Sequence, residues 1–394
     1  MPQAPVKSNR KSRSGMNSQR AKVGSTAADI LDAHGGVGPG FDALRLLLAV
    51  WVFTIHAMFI CKGADAAEQF ASDPLHRIIA SPVLPMFFAV SGYLVTGSAL
   101  RIRSTTTFLL FRVFRIAPAL IVEVTLSALI LGPLLTDKDL LEYFADPLFF
   151  RYFLNIVGNV QFFLPGLFAQ NPVPGAVNLN LWTLKPEFFC YVFMSAMILS
   201  KVIFSRTYFG LIGLLVLLST TVYIVRGGQA YNFLGVADWK ILVVAFIVGC
   251  LSFQWNDRIV VSRGYAAIAL IVACIAVAYP PLAVPGVLAL AYIVIYIGTR
   301  KIPLPSFLTN GDYSYGIYLF GFPIQQTLVH FLPSDYRTGW LVLMLGFPLT
   351  LGFAMLSWNC IEKPVLQLKN KLRASPRGLF RTWRSKEIGL EQAR

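Results

Sequence analysis

Charge is scarce in this chain. Of its 394 residues, Asp, Glu, Lys and Arg make up 13%, where soluble domains carry roughly a quarter. That scarcity excludes an ordinary soluble protein, and the complement, 56% hydrophobic residues with a mean hydropathy of +0.63, indicates a polytopic membrane protein. No hydrophilic stretch is long enough for a useful soluble domain; the longest are 1–40, 136–180 and the tail from 361. Cysteine is scarce too. Cys61, Cys190, Cys250, Cys274 and Cys360 lie in or beside apolar runs with no CxxC or paired spacing, which excludes a disulfide framework and a metal site and leaves them as small hydrophobes. No internal repeat of the kind that builds many transporters is visible.

What is abundant is apolar sequence in runs. A helix needs about 20 such residues to cross a bilayer, and ten candidates occur: 42–61, 79–100, 116–135, 181–200, 208–225, 240–255, 264–279, 282–298, 307–331 and 339–359. Pro280 and Pro281 force a tight turn between the seventh and eighth. The expected fold is all-α, with both termini on one side. Of the 34 Lys and Arg residues, 25 fall in the two tails and in 101–115, 201–207, 256–263 and 299–306, while the opposite loops hold seven. That distribution puts both termini in the cytoplasm and explains the net charge of +15 without nucleic acid. The N-terminal tail is too long, too polar and too rich in Ser, Lys and Arg for a cleaved signal peptide, so the first helix is expected to be an uncleaved signal anchor. The domains are then a basic, disordered tail over 1–40, a membrane domain over 41–364 and a basic tail over 365–394. The loop 136–180 is expected outside, its aromatic residues forming either an interfacial belt or a roof over a binding site.

Ionisable side chains within apolar runs usually mark function. The first span carries Arg45 and, about 16 Å further along, His56; the fourth carries Glu187. Counted from their helix ends, His56 and Glu187 are expected at similar depth below the outer face, where a carboxylate could orient an imidazole base. Each has a plainer reading, His56 as a cap on a neighbouring carbonyl and Glu187 as the partner of Lys185 or of another buried donor. Glu123 is a further intramembrane acid without an evident partner. Ser91-Gly92 is a small pair suited to close helix packing, and the Ser91 hydroxyl could instead donate a hydrogen bond into a site. Arg112 and Arg115 share a helix face and suit phosphate recognition, although positive-inside anchoring also accounts for them. Asp312, Tyr313, Tyr315 and Tyr318 cluster towards the inner end of the ninth span, with Gln325 and Gln326 beyond Pro323; such a polar stripe lines a cavity, or its tyrosines form an ordinary aromatic belt.

Six blocks recur in one order: Arg45 and His56 with ten residues between them, FFAVSG at 87–92, RVFRIAP at 112–118, LWTLKPEF at 181–188, SYGIYL at 314–319 and IEKP at 361–364. Together they resemble the membrane-bound acyltransferase 3 family, which includes O-acetyltransferases of bacterial surface polysaccharides. The resemblance implies about ten membrane helices in the bacterial inner membrane, and acyl-CoA, acetyl-CoA by default, as donor with no tightly bound cofactor. It also implies a carbohydrate acceptor, the lipid bilayer as surroundings and polysaccharide-assembly proteins as partners. His56 would be catalytic, as base or transient acyl carrier, with Arg45 required and Glu187 assisting. Arg112 and Arg115, with Ser91, would hold the donor, and Trp182, Tyr315, Tyr318 and Gln325 would line the substrate pocket. Many members have a histidine before proline late in the ninth helix; Gly321 stands near that place here, so its role is either absent or met differently, by Gln325 or Gln326. The esterase-like domain that some relatives append is not expected here. The competing expectation is a proton-coupled secondary transporter with His56, Glu187 and Glu123 as its relay; a scaffold without chemistry leaves the blocks unexplained.

Overall fold

The computed structural model describes residues 25–231 and 236–367, with nothing said of the side chains of 64–72. Among the described residues there is no β-strand, only isolated bridges such as Thr26 to Val260 and Phe163 to Ala176. The first helices are α1 (Ala27–Ala33), α2 (Phe41–Ser72), α3 (Pro74–Ala80), α4 (Val83–Ile102) and α5 (Thr105–Leu126). The short α6 (Gly132–Leu135), α7 (Leu140–Ala145) and α8 (Pro147–Tyr152) come next. Then follow α9 (Leu184–Leu199), α10 (Arg206–Val225), α11 (Trp239–Gln254), α12 (Arg263–Ala278) and α13 (Ala283–Gly298). A single turn, α14 (Ser306–Thr309), precedes α15 (Ser314–Phe331) and α16 (Gly339–Ser357).

Each expected apolar run contains a helix, although the ninth, 307–331, is broken over 310–313 and its main helix starts at Ser314. Six segments are long and apolar enough to cross a membrane unaided: Phe41–Gly63, Pro74–Ile102, Thr105–Leu135, Arg206–Val225, Pro280–Gly298 and Gly339–Gln367. Helices α9, α11 and α12 have 16 residues each, or about 24 Å of rise against a hydrocarbon core of about 30 Å. Large apolar side chains stay exposed along α10 (Leu211, Leu215, Leu218), α12 (Ile268, Ile271) and α16 (Met344, Leu349). Such faces suit lipid rather than water, as expected of an integral membrane protein.

Two groups of helices meet around a common centre. In one, α4 lies along α11 and α13 closes on both; in the other, α15 packs between α2 and α16. The α4–α11 contact is backbone to backbone. A Cβ on Gly92 would fall 2.0 Å from the Phe246 carbonyl oxygen, and one on Gly249 would fall 2.2 Å from that of Ala89. Close packing is thus the role of Gly92. Gly92→Ala is expected to cost about 1–3 kcal/mol, read as loss of thermal stability in detergent; unchanged stability would show that the helices part freely.

The expected disorder of 1–40 does not extend to residues 25–40. Thr26 and Asp29 form a capping box at the start of α1, and Ala27 and Leu31, one turn apart, are buried. The Ala27 N–H donates to the Ile259 carbonyl at 2.8 Å, and the Gly40 N–H to that of Gly298 at 3.0 Å. A local cap and two buried side chains extend the folded body upstream of the expected boundary. The tail segments 1–24 and 368–394 lie outside the described residues. All five cysteines are free, with Cys190 and Cys250 buried.

The segment 136–180 is a packed cap. Tyr143 and Tyr152 are fully buried against α5, and Tyr143 donates to the Ala128 carbonyl at 2.7 Å. Leu141, Phe150 and Val157 point away from the body.

Candidate active site

A cavity of about 350 Å³ opens where the two helix groups meet, between α4, α5, α9 and α15. Four of the sequence blocks build its wall. FFAVSG contributes Phe87, Phe88, Val90 and Ser91; RVFRIAP contributes Arg112, Arg115 and Ile116. LWTLKPEF contributes Leu181, Thr183, Leu184 and Glu187, and SYGIYL contributes Ser314, Tyr315, Tyr318 and Leu319. Arg45 reaches the same space from α2. One side is apolar and the other gathers three guanidinium groups.

Two of the three guanidinium groups are held by acids distant in sequence. Arg45 Nη1 donates to Asp312 Oδ2 at 2.6 Å, and Arg115 Nη2 donates to the same oxygen at 2.6 Å. Arg115 Nη1 donates to Glu362 Oε2 at 2.7 Å. Ser314 Oγ donates to the other Asp312 oxygen at 2.7 Å, and Ser357 Oγ to Glu362 at 3.1 Å. The Arg115 guanidinium also lies over the rings of Tyr315 and Trp358. These bonds tie α2, α5, α15 and the C-terminal end of α16 together at the Arg45 end of the molecule. Arg112 differs: it lies over Phe108 and Tyr191 at 5.6 and 5.9 Å. The Tyr191 hydroxyl donates to Glu187 Oε1 at 2.5 Å.

Glu187 reaches this end by an unexpected route. Counting residues inward from the start of an expected span puts Glu187 level with His56, but the chain before α9 descends along α15 first. The Gln326 side chain donates to the carbonyls of Val173 and Ala176 at 2.8 and 2.7 Å, and Asn171 donates to the Gln326 side chain at 2.8 Å. Asn178 then donates to the Leu319 carbonyl at 2.9 Å and Asn180 to that of Tyr318 at 2.6 Å. From Gln326 back to Tyr318 is about 12 Å along α15. Helix α9 therefore begins deep in the body, and Glu187 faces the cavity with the arginines instead of pairing with His56. Lys185 is exposed and does not pair with it.

Three expected site residues lie outside the cavity wall: His56, Trp182 and Gln325. Trp182 packs half-buried against the main core. Gln325 is fully buried and donates to the Phe53 carbonyl at 2.8 Å, bracing α2 against α15. His56 is half-buried with its ring edge-on to Phe322, centroids 5.5 Å apart, and among the described residues its nitrogens have no hydrogen-bond partner. Phe322 is one turn beyond Tyr318 on the same face of α15, so the ring stands just past the cavity wall. Eleven residues of helix bring His56 to within about 20° of the Arg45 face of α2. At Gly321, a Cβ would meet the Phe53 ring at 2.8 Å, so a histidine there has no room.

Glu123 is buried elsewhere, accepting from Ser127 Oγ at 3.1 Å and Asn178 Nδ2 at 2.9 Å. Glu123, Glu187 and His56 thus occupy three separate surroundings, and among the described residues no hydrogen-bonded chain joins them as a relay. Sequence reasoning missed Asp312 and Glu362 as partners of the arginines, and Asn178, Asn180, Thr183 and Tyr191 altogether. A signal existed for the acids: carboxylates bordering apolar runs need cations, and Arg45 and Arg115 were unmatched.

The comparisons with known proteins give the family. An acyltransferase domain, that of the acyltransferase 3 family, matches residues 39–359. The chain is 25% identical over 342 residues to an O-acetyl transferase of Shigella phage Sf6, covering 86% of this chain and 97% of that protein. It is also 25% identical over 366 residues to nodulation protein 10 of Rhizobium leguminosarum bv. viciae, covering 85% and 95%. No solved structure matches. With its matched domain spanning all the cavity-forming helices, this chain belongs to the acyltransferase 3 family.

Proposed function

We propose that this protein is a membrane O-acyltransferase that moves an acyl group, acetyl in the simplest case, from acyl-CoA to a hydroxyl of a carbohydrate. Similarity to a protein named O-acetyl transferase supports the acetyl group and the oxygen acceptor. The observation that carries the donor assignment is the convergence of Arg45, Arg112 and Arg115 on one cavity within the acyltransferase domain. Guanidinium forks suit the phosphates of CoA, and the apolar wall of Phe87, Phe88 and Leu184 suits its pantetheine arm.

The arm runs from the arginine end toward His56, about 16 Å along α2. There the unbonded His56 nitrogen takes the proton of the acceptor hydroxyl as its oxygen attacks the thioester carbonyl. The C–O bond forms, the C–S bond breaks, and the proton passes to the departing sulfur, giving the ester and free CoA. The distribution of Lys and Arg supports cytoplasmic termini in a bacterial inner membrane, with the arginine end inside and His56 toward the outer face. A surface or lipid-linked glycan is then the acceptor, and proteins assembling it are the partners.

The test is mass spectrometry of surface glycans from cells with and without the protein, with isotope-labelled acetyl-CoA supplied to their membranes. Labelled ester that appears only with the protein is expected. Unaltered glycan acylation, together with solute uptake driven by a proton gradient, would overturn the reading.

A further inference from the structure

Two aromatic rings from the opposite helix groups meet in the cavity wall. Phe87 of α4 and Tyr318 of α15 stand edge to face, with centroids 6.2 Å apart. Both are held. Phe87 packs against the main core and against the cluster that contains Ala49, Phe53 and Ile317. The Tyr318 hydroxyl lies 2.7 Å from Thr183 Oγ1 and donates to the Asn180 carbonyl at 3.2 Å, which ties the ring to the turn before α9. A second ring pair gives their level. Tyr93 stacks on Phe41 with centroids 5.2 Å apart, so Tyr93 stands level with the start of α2. Six residues back along α4, Phe87 is about 9 Å nearer the His56 end, past Arg45 and short of His56. On α15, Phe322 is the next turn beyond Tyr318, and it is the ring that His56 meets edge-on.

We infer that Phe87, braced by Tyr318, determines acyl-chain length: the ring fills the space beside the thioester and restricts the transferred group to about the size of acetyl. This rests on the donor and acceptor proposed above. A thioester brought from the arginine end meets His56 across this pair, so the carbons of its acyl group lie against the Phe87 ring. That ring cannot yield as an aliphatic chain would, because it is packed on two clusters and its partner is hydrogen-bonded in place. Each added methylene then meets a filled site, and one methylene in an apolar pocket changes selectivity by about 10–200-fold.

The test is a competition. Membranes containing the full chain and their own acceptor glycan receive equal acetyl-CoA and butyryl-CoA with distinct isotope labels, and mass spectrometry reads the ratio of the two esters. Both donors compete for one protein, so the ratio does not depend on its abundance. The wild type is expected to favour acetyl by about tenfold or more per added methylene. Phe87→Ala is expected to lower that preference by about tenfold or more. Phe87→Leu, which keeps part of the volume, is expected to lower it less, and it is the variant read should Phe87→Ala not accumulate. The control is Leu94→Ala, which enlarges the same cavity beside Tyr93, about 10 Å back along α4; it is expected to keep the wild-type ratio whatever its total transfer. A wild-type ratio in the Phe87 variant, an equal loss of preference in Leu94→Ala, or a wild type that takes both donors alike overturns the inference. If the wild type transfers neither label, the proposed donor and acceptor fall and this inference falls with them, a result distinct from the other three.

Discussion

His56→Ala is expected to lower acyl transfer by about 10²–10⁴-fold while the protein stays at normal abundance in the membrane. The two halves of that expectation have separate causes. Activity falls because the ring is the imidazole placed on the Arg45 face of α2, just past the cavity wall, with nitrogens free to take a proton. Abundance holds because the ring has no hydrogen bond to lose among the described residues, so truncation strands no buried donor or acceptor. Only its edge contact with Phe322 is given up, worth about 0.5–1.5 kcal/mol. Quantitative immunoblotting alongside labelled-acetyl transfer separates the effects. Full transfer by His56→Ala at wild-type abundance would remove His56 from the chemistry, and Glu187, the carboxylate facing the cavity, would become the base to test.

Arg115→Ala is expected to destabilise the fold by about 3–5 kcal/mol, the usual cost of leaving one member of a buried ion pair alone. Glu362 is the reason. Its side chain is 1% exposed, and among the described residues its hydrogen-bond partners are Arg115 and the Ser357 hydroxyl. Asp312 suffers less, because Arg45 still holds it at 2.6 Å. Adding Glu362→Gln to Arg115→Ala should therefore recover part of the loss, since the stranded charge is gone, whereas adding Asp312→Asn should recover less. Thermal unfolding of the wild type, of Arg115→Ala, Glu362→Gln and Asp312→Asn, and of the two double variants in one detergent gives the two coupling energies. Strict additivity between Arg115 and Glu362 would show that the contact contributes nothing to stability.

Much of the site was legible without coordinates. FFAVSG, RVFRIAP, LWTLKPEF and SYGIYL, four of the blocks that carry the resemblance, each supply part of one cavity wall. Of the polar stripe around α15, Tyr315 and Tyr318 line the cavity, whereas Tyr313 is buried in the core and Gln325 braces Phe53. Trp182 sits inside the right block but turns to the core, because a 3₁₀ turn over Leu179–Thr183 alternates its side chains differently from the helix that follows. Gln326 fastens the cap to α15, a structural duty that its polarity did not announce.

Hydropathy and the placement of Lys and Arg by themselves determined that this is a helical membrane protein, and six ordered blocks determined its family. Both are local properties, readable a window at a time. Tertiary structure alone decided which acid meets which arginine, because Arg45 and Asp312 are 267 positions apart and Arg115 and Glu362 are 247 apart. It alone decided the level of Glu187, because depth in a bundle depends on the path the chain takes before a helix begins. Here four side-chain amides on carbonyls carry that path down α15, and an amide's bonding partner is chosen by the fold, not by its neighbours in sequence.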